Sequence, residues 1–313
     1  MVNTSNYQSL IKTHSKKLEN YIMVEDIDIY HYTSPSALNS IISNHTIRFT
    51  DRNYLNDYSE GRYVMDLCVH SRFELRLPKE CRAYFKERCR ILLNNPMNKK
   101  RHIYQCSFST QSDNLSLWNY YTKSDGVKGY NIGFNSKELS QELIASSNRK
   151  KHNIEVLHGK VVYSVNKQKY IIKSVIDDFC AIINDNLMDF VFVRLAIEVL
   201  VEKILLVGSF FKSPHFKQEN EYRLLLHLTP YFDEQEKVVK FMVLNKSAQT
   251  YEKNNLLIPY LDIEFAKTNL NSICISPTLN YDETISNLKN ALNIYGYSST
   301  EVQVVKSEIP IRY

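Results

Sequence analysis

A short stretch near the start of the sequence combines an imidazole and a hydroxyl at a spacing that suits binding of a sugar or an amide. His31 and Thr33 lie two residues apart in a strand-like segment, so their side chains leave one face while that of Tyr32 leaves the other. Two hydrogen-bonding groups on one face suit a ribose or an amide. A satisfied histidine beside a helix cap gives the same pattern, and both interpretations remain open.

A second group of chemically capable side chains lies where a polar loop enters an apolar strand. Glu219, Glu221 and Arg223 follow one another at intervals of two residues, so Glu221 and Arg223 share a strand face. One interpretation is a structural ion pair. A surface pair contributes only about 0–1 kcal/mol to stability, so stability alone does little to explain why these charged residues lie at the start of an apolar strand. The other is a glutamate that stabilises developing positive charge.

Polar and aromatic residues between these two groups offer further candidates. Ser107 and Ser109 share a strand face with Gln105, so one side of that strand is polar while the other packs. Trp118, with its flanking tyrosines, is either a buried core residue or a stacking surface. Tyr54 is a candidate to stack on a flat ring, next to a polar run that ends at Gly61.

The elements that position these residues are strands dispersed along the chain with helices between them, which predicts a mixed α+β fold. The predicted strands are 27–33, 47–50, 103–109, 129–134, 221–228, 238–244, 272–275 and 302–305. The predicted helices are 35–43, 58–75, 79–93 and 283–295, with a helix-rich stretch over about 167–207 and an aromatic turn over 115–121. We expect a helical extension over 1–26 and one α+β domain over 27–313, with 167–207 as an insertion.

Composition narrows the functional classes. The chain has 313 residues, 43% hydrophobic, with a net charge of +5, which is ordinary for a folded protein and small for a dedicated nucleic-acid surface. Its six cysteines form no CxxC pair or zinc-ligand spacing, and with no export signal we expect a cytoplasmic protein. Charges at every fourth residue of 190–211 predict an amphipathic core helix, and we expect no membrane partner.

Six separated motifs, in order, resemble the bacterial family known as domain of unknown function 2971. The motifs are YHYTS at 30–34, YLNDYSEGR at 54–62, CSFS at 106–109, LSLWNYY at 115–121, FKSPHFKQENEYRLL at 211–225 and KSEIPIRY at 306–313. The resemblance spans about residue 27 to the end of the chain. The name of the family implies no activity.

A more distant resemblance, to the ADP-ribosyltransferase superfamily, implies an activity. A strand with His-x-Thr, a helix of the form xxLxxII and a short strand resemble the opening of that fold. Carried over by position, His31 would hold an NAD ribose, Ser107 or Ser109 would supply a central hydroxyl, and Glu221 would be the catalytic acid. The Glu219-x-Glu221 spacing resembles that of arginine-modifying members.

The same resemblance implies roles for the remaining candidates. Thr33 and Tyr32 would help His31 to bind the dinucleotide, and Tyr54 or Trp118 would stack on nicotinamide. Arg223 or Arg52 would hold phosphate. The fold implied is α+β with mixed or antiparallel central sheets, ADP-ribosyltransferase-like, with helical insertions.

The leading hypothesis is therefore an enzyme that consumes NAD as substrate, without a metal, and passes ADP-ribose to a protein, a nucleic acid or water. By analogy with other such enzymes, its role would be that of a bacterial toxin or phage-defence effector. A second hypothesis is a nucleotide or nucleic-acid binding module that uses basic loops such as Lys150-Lys151. A third is a metal-dependent nuclease; its candidate ligands are Asp57, Glu60, Glu219 and Glu221.

Overall fold

The structure is a computed structural model that describes most of the chain. The described residues are 10, 18–55, 62–94, 103–122, 128–149, 154–228, 230–233, 238–241, 249–253, 255–298 and 301–311. The strands are β1 (Asp28–Thr33), β2 (Thr46–Asp51), β3 (Ile103–Ser109), β4 (Tyr130–Asn135), β5 (Ile154–Lys160), β6 (Glu221–Leu228), β7 (Pro230–Asp233), β8 (Val238–Phe241), β9 (Gln249–Lys253), β10 (Leu256–Glu264), β11 (Leu270–Ile275) and β12 (Gln303–Lys306).

The α-helices lie between the strands, as the sequence pattern predicts. They are α1 (Pro35–Asn44), α2 (Tyr63–His70), α3 (Lys79–Asn94), α4 (Leu115–Tyr121), α5 (Ser136–Arg149), α6 (Val165–Asn184), α7 (Phe190–Gly208) and α8 (Tyr281–Ile294). Short 3-10 helices cover Leu18–Asn20, Arg52–Tyr54, Phe73–Arg76, Pro214–Glu219 and Lys267–Asn269.

Ten of the described strands form one open sheet. Eight follow the order β12-β11-β4-β1-β3-β2-β10-β9, while β6 pairs with β3 and β5 pairs with β6. Within this sheet β11 and β12 run parallel, whereas the central pairs are antiparallel. The prediction of an α+β fold with a mixed central sheet is therefore confirmed.

The central strands of the sheet are buried on both faces, because they alternate apolar side chains between two cores. Leu225 points into one core, which is built on α2, α3, α6 and α7 and also takes in Leu10 and Leu18 near the start of the chain. Leu224 and Leu226 point into the other, built on α1, α5 and α8. The central strands are therefore held rigidly between two layers of helices.

Local signals set the ends of several helices. The Ser34 hydroxyl accepts from the Ala37 N–H at 3.2 Å, and Pro35 occupies the first turn, so α1 begins where the sequence predicts. The predicted aromatic turn at 115–121 is instead helix α4. Asn114 caps this helix by accepting from the N–H groups of Ser116 and Leu117, a signal that the sequence analysis overlooked.

The sequence analysis also missed several elements and overextended others. Helix α5 and strands β5, β7, β9 and β10 were not predicted. The predicted helix over 58–75 contains α2 and a separate 3-10 turn at Phe73–Arg76, while its first residues lie outside the described part of the chain.

Helix α7 carries its charged stripe against a neighbouring helix. Glu198 forms an ion pair with Arg88 of α3 at 2.6 Å, and the guanidinium of Arg194 lies 4.7 Å from the ring centroid of Tyr84. These charges therefore serve helix packing, while most of the remaining side chains of α7 are buried. In the part of the chain that the structure describes, α7 and the other helices all fall short of the length and apolarity needed to cross a bilayer.

Candidate functional site

The central strand β3 has two different neighbours along one of its edges, and the point where they separate is called the fork here. Along one edge it pairs with β6 over its whole length. On the other edge it pairs with β2 at Gln105 and with β1 at Ser109, so the two neighbours diverge on either side of Ser107. Residues 105, 107 and 109 direct their backbone groups to this edge, because backbone hydrogen bonding alternates along an antiparallel strand. The backbone of Ser107 therefore faces the fork.

His31 fills this position on the β1 side of the fork. Its Nδ1 lies 3.0 Å from the carbonyl oxygen of Ser107. A carbonyl only accepts, so Nδ1 carries the proton, and in the neutral ring Nε2 is left as an acceptor. Burial lowers the pKa of His31, although its bond to Ser107 opposes that shift. The imidazole is therefore neutral at physiological pH, with one nitrogen that accepts from a hydroxyl.

A cleft of about 410 Å³ opens at the fork. This volume lies within the range of small-molecule sites, about 300–1,000 Å³. The lining residues are Tyr30, His31, Tyr32, Arg48, Thr50, Leu55, Gln105, Cys106, Ser107, Phe108, Ser109, Leu117, Tyr121, Lys212, Phe216, Glu219 and Glu221. The cleft is thus lined by the predicted imidazole, both predicted serines and both predicted acids, which come from segments far apart in the sequence.

Strand pairing delivers the acid to the serines. In the register of β3 with β6, Glu221 lies opposite Ser109 and Arg223 opposite Ser107, so the two polar faces coincide. Arg223 donates from Nε and Nη2 to the two carboxylate oxygens of Glu221, both at 2.8 Å. The pair that the sequence left open is thus a buried ion pair.

Lys212 bridges the two acids of the cleft. Its Nζ donates to Oε2 of Glu219 at 2.6 Å and to Oε2 of Glu221 at 3.2 Å. Burial alone would raise the pKa of Glu221, but Arg223, Lys212 and Ser107 together lower it to about 2. For Glu219 burial prevails over Lys212, and its pKa is raised. Glu221 therefore stays ionised at physiological pH.

A chain of hydrogen bonds crosses the floor of the cleft. Gln105 donates from Nε2 to the Ser107 hydroxyl at 3.1 Å, and Ser107 in turn bonds the carboxylate of Glu221. Ser109 points elsewhere, donating to the backbone carbonyl of Glu219 at 2.8 Å. Of the two serines that the sequence could not separate, Ser107 is thus the one whose hydroxyl reaches the Glu221 carboxylate.

The arginines expected to hold phosphate lie behind the cleft. Arg223 is fully buried, and Arg52 is buried as well. Arg223 donates to the carbonyl of Ser209, and Arg52 donates to the carbonyl of Leu205 at 3.4 Å and to the Ser209 hydroxyl. Both therefore neutralise the carbonyl end of α7, where the helix dipole favours cations. In these positions neither guanidinium lines the cleft in which the phosphate was expected.

Three other predicted binding residues do not line the cleft. Trp118 is fully buried and donates its indole N–H to Asp113 at 2.7 Å, as a core residue does. Thr33 is buried and Tyr54 is partly exposed, and neither contributes to the lining of the cleft. Tyr32 does line the cleft, but its hydroxyl is occupied by the Gln111 carbonyl and the Asn114 N–H. Tyr54 and Trp118, the residues expected to stack on nicotinamide, therefore lie outside the cleft lining.

The cleft also contains residues that the sequence analysis did not select. Arg48 and Thr50 enter from β2, and Tyr121 and Phe216 contribute aromatic rings that are 44% and 37% exposed. The alternation of Arg48 with Thr50 on a short strand was a usable signal. Lys212 had no such signal, since a loop lysine nine residues before the start of a strand resembles any solvent-exposed lysine.

Two of the acids proposed as metal ligands are bound instead by basic side chains. Glu219 and Glu221 are paired by Lys212 and Arg223, and no group of three or more His, Cys, Asp or Glu side chains suited to a metal occurs within the described ranges. Its other proposed ligands, Asp57 and Glu60, lie outside the described residues, as do Lys150 and Lys151 of the binding hypothesis.

Comparison with known proteins finds a similarity to one family model in the middle of the chain. Residues 117–224 match the family model described as Protein of unknown function (DUF2971). This match supports the resemblance to DUF2971 predicted from the motifs, and the matched range holds Lys212, Glu219 and Glu221. No curated protein matches the chain. No solved structure matches it either.

Proposed function

We propose that this protein cleaves the bond between nicotinamide and ribose in NAD and transfers ADP-ribose to an acceptor, as the ADP-ribosyltransferase superfamily does. The observation that carries the proposal is that His31, Ser107 and Glu221, from three neighbouring strands, line one cleft. The order of their strands matches the order of roles in that superfamily: an early imidazole, a central hydroxyl and a late acid.

The reaction asks little proton chemistry of the protein. The electron pair of the glycosidic bond leaves with nicotinamide, which departs neutral, and the ribose C1′ becomes an oxocarbenium-like cation. A carboxylate fixed beside that cation stabilises it, and the acceptor then adds to C1′ and loses its proton. With a pKa of about 2, Glu221 supplies a permanent negative charge for this purpose.

Glu221 must release one of its present partners to bind a ribose hydroxyl. Two of its acceptor sites face Arg223, which is fully buried behind the cleft, whereas Lys212 and Ser107 line it. The Lys212 contact to Glu221, at 3.2 Å, is longer than its contact to Glu219, at 2.6 Å. A ribose hydroxyl would therefore take the Lys212 place on Glu221, while Lys212 stays with Glu219.

The neutral imidazole of His31 and the aromatic rim would orient the substrate. Nε2 of His31 accepts from a second ribose hydroxyl, and the partly exposed rings of Tyr121 and Phe216 offer flat surfaces for nicotinamide. In this proposal the stacking role passes from Tyr54 and Trp118 to the cleft rim. The acceptor is a protein or a nucleic acid, or water in a glycohydrolase.

The test is release of nicotinamide from NAD by the purified chain, with and without protein and nucleic-acid acceptors. We expect Glu221→Gln to lower the rate by about 100-fold or more, because a lost electrostatic contact to the transition state costs about 3–4 kcal/mol. Glu74→Gln is the control, since Glu74 bonds Lys86 at 3.1 Å in a partly buried ion pair outside the cleft.

Two results would contradict the proposal. One is a wild-type chain, shown to be folded, that releases no nicotinamide with any acceptor. The other is a Glu221→Gln variant as active as Glu74→Gln. Expression in a bacterial host tests the toxin or phage-defence role: the wild type should slow growth and Glu221→Gln should not.

A non-catalytic nucleotide-binding module is the second candidate, favoured by the full pairing of Glu221 with Arg223, Lys212 and Ser107. A carboxylate so neutralised suits a rigid binding cleft as well as a catalyst. NAD binding without nicotinamide release in the wild type would select this function.

A further inference from the structure

Arg48 is the exposed arginine of the cleft, and it is held in place before any ligand arrives. Its Nε and Nη2 donate to the two carboxylate oxygens of Asp262 at 3.0 and 3.1 Å. Its guanidinium carbon lies 3.7 Å from the ring centroid of Tyr260 and 5.3 Å from that of Tyr251. A stacked and bidentate guanidinium loses little further side-chain entropy on binding.

Arg48 keeps donors for a ligand. A guanidinium has five N–H donors in a fixed fork, and Asp262 takes two of them. Among the described residues no other acceptor bonds Arg48, whose side chain is 40% exposed at the cleft. Three donors therefore remain for an acceptor with several oxygens.

Thr50 adds a hydroxyl to the same surface. It follows Arg48 by two residues on β2, so both side chains leave one strand face, and both line the cleft. No described residue accepts from or donates to the Thr50 hydroxyl. The β2 side of the fork thus presents a cation and a hydroxyl, across the cleft from His31 on β1 and from Glu221 on β6.

We propose that Arg48 and Thr50 form the diphosphate-binding part of the cleft, so that the ligand is a dinucleotide whose phosphates lie on β2 while its ribose lies at Ser107. This inference rests on the proposed function, because the diphosphate is that of NAD. Arg and hydroxyl donors bind phosphate oxygens by charge-assisted and neutral hydrogen bonds. Arg48 thereby takes the role expected of Arg223 and Arg52.

The experiment is calorimetric titration of the purified full chain with three probes: ADP-ribose, inorganic pyrophosphate and nicotinamide riboside, which lacks the diphosphate. Arg48→Gln is compared with Arg76→Gln. The latter is a matched control, because Arg76 forms a similar bidentate pair with Asp177 at 42% exposure and does not line the cleft.

We expect Arg48→Gln to weaken binding of ADP-ribose and pyrophosphate by about tenfold or more, because the variant loses charge-assisted hydrogen bonds to the phosphate oxygens. Binding of nicotinamide riboside should not change, and Arg76→Gln should resemble the wild type with all three probes. Thr50→Val, which keeps the shape of the side chain, should weaken the same two phosphate probes and leaves the test intact if Arg48→Gln fails to fold.

The outcomes separate this inference from the proposed function. Unchanged affinity of ADP-ribose for Arg48→Gln and Thr50→Val would overturn the diphosphate site, even in a chain that cleaves NAD. A wild type that binds neither ADP-ribose nor pyrophosphate would overturn it as well. Binding of ADP-ribose that depends on Arg48, in a chain that releases no nicotinamide, would support the site and refute the proposed reaction.

Discussion

His31 of β1 donates its Nδ1 proton to the carbonyl oxygen of Ser107 on β3 at 3.0 Å, across the point where the neighbours of β3 diverge. Here the imidazole donates the hydrogen bond that a backbone N–H of a neighbouring strand would otherwise donate to this carbonyl. Buried backbone groups are almost always paired, so opening a cleft inside a sheet requires such a substitute. The same contact fixes which nitrogen of His31 faces a ligand.

Two variants separate the structural from the binding role of His31. We expect His31→Ala to lower the free energy of unfolding by about 1–3 kcal/mol, since it leaves the Ser107 carbonyl unpaired. His31→Asn should stay closer to the wild type, because its amide N–H is able to replace the Nδ1 donor, yet both variants should bind ADP-ribose more weakly. Urea unfolding and calorimetry provide the two measurements.

His70→Ala is the control for that prediction. His70 also contacts a backbone carbonyl through Nδ1, at 3.0 Å to Asp66, but on an exposed helix surface. Its loss should change stability little. Equal destabilisation by His31→Ala and His70→Ala would show that the Ser107 contact has no special structural weight.

Lowering the pH should remove the stabilisation that Glu221 gains from its ion pairs. Its pKa is lowered from an ordinary 4.5 to about 2, so its stabilising contribution is fully present above pH 4.5 and is lost as the pH falls toward 2. The contribution is on the order of 3 kcal/mol. The difference in unfolding free energy between wild type and Glu221→Gln should therefore shrink over this window. Exposed Glu87→Gln should track the wild type, and a Glu221→Gln difference independent of pH would contradict the prediction.

The fluorescence of Trp118, the single tryptophan, reports on helix α4, which contributes Leu117 and Tyr121 to the lining of the cleft. Asp113 accepts from the Trp118 indole at 2.7 Å, from the Ser307 hydroxyl at 2.8 Å and from the Glu308 N–H at 2.7 Å. We expect Asp113→Ala to lower stability by about 1–3 kcal/mol and to shift the fluorescence of Trp118 to the red, because the segment after β12 loses its anchor.

Asp66→Ala, a change at an exposed helix position, is the control for the fluorescence measurement. It should leave the emission of Trp118 unchanged. An Asp113→Ala variant with wild-type emission would mean that the indole stays buried without this anchor.

Gly208, at the end of α7, tests the packing of α7 on α2. A β-carbon at this position would lie 2.5 Å from Val64 Cγ1 and 2.6 Å from its Cβ. Gly208→Ala should therefore cost about 1–3 kcal/mol by overpacking. Adding Val64→Ala should recover part of that loss, giving a coupling energy of about 0.5–3 kcal/mol in a double-mutant cycle. Val69→Ala, elsewhere on α2, should show simple additivity with Gly208→Ala.

The strands that carry the site were well predicted because their pattern is local. The bounds of β3 match the prediction of 103–109, and β1 and β6 agree within a residue. Helix α4 was missed because residues 115–121 were predicted as a turn and the Asn114 cap was overlooked. Strands β9 and β10 were missed because they are poor in the apolar alternation on which the prediction relied.

The sequence by itself determined which side chains share a face, because alternation along a strand is a property of neighbouring residues. It thereby linked His31 with Thr33, Ser107 with Ser109, and Glu221 with Arg223. Only the tertiary structure decided which of these faces meet, since His31 and Ser107 lie 76 positions apart and contact depends on strand order. The same long-range pairing buries Arg223 at the end of α7 and exposes Arg48 in the cleft. The local sequence around each arginine does not predict this difference in burial.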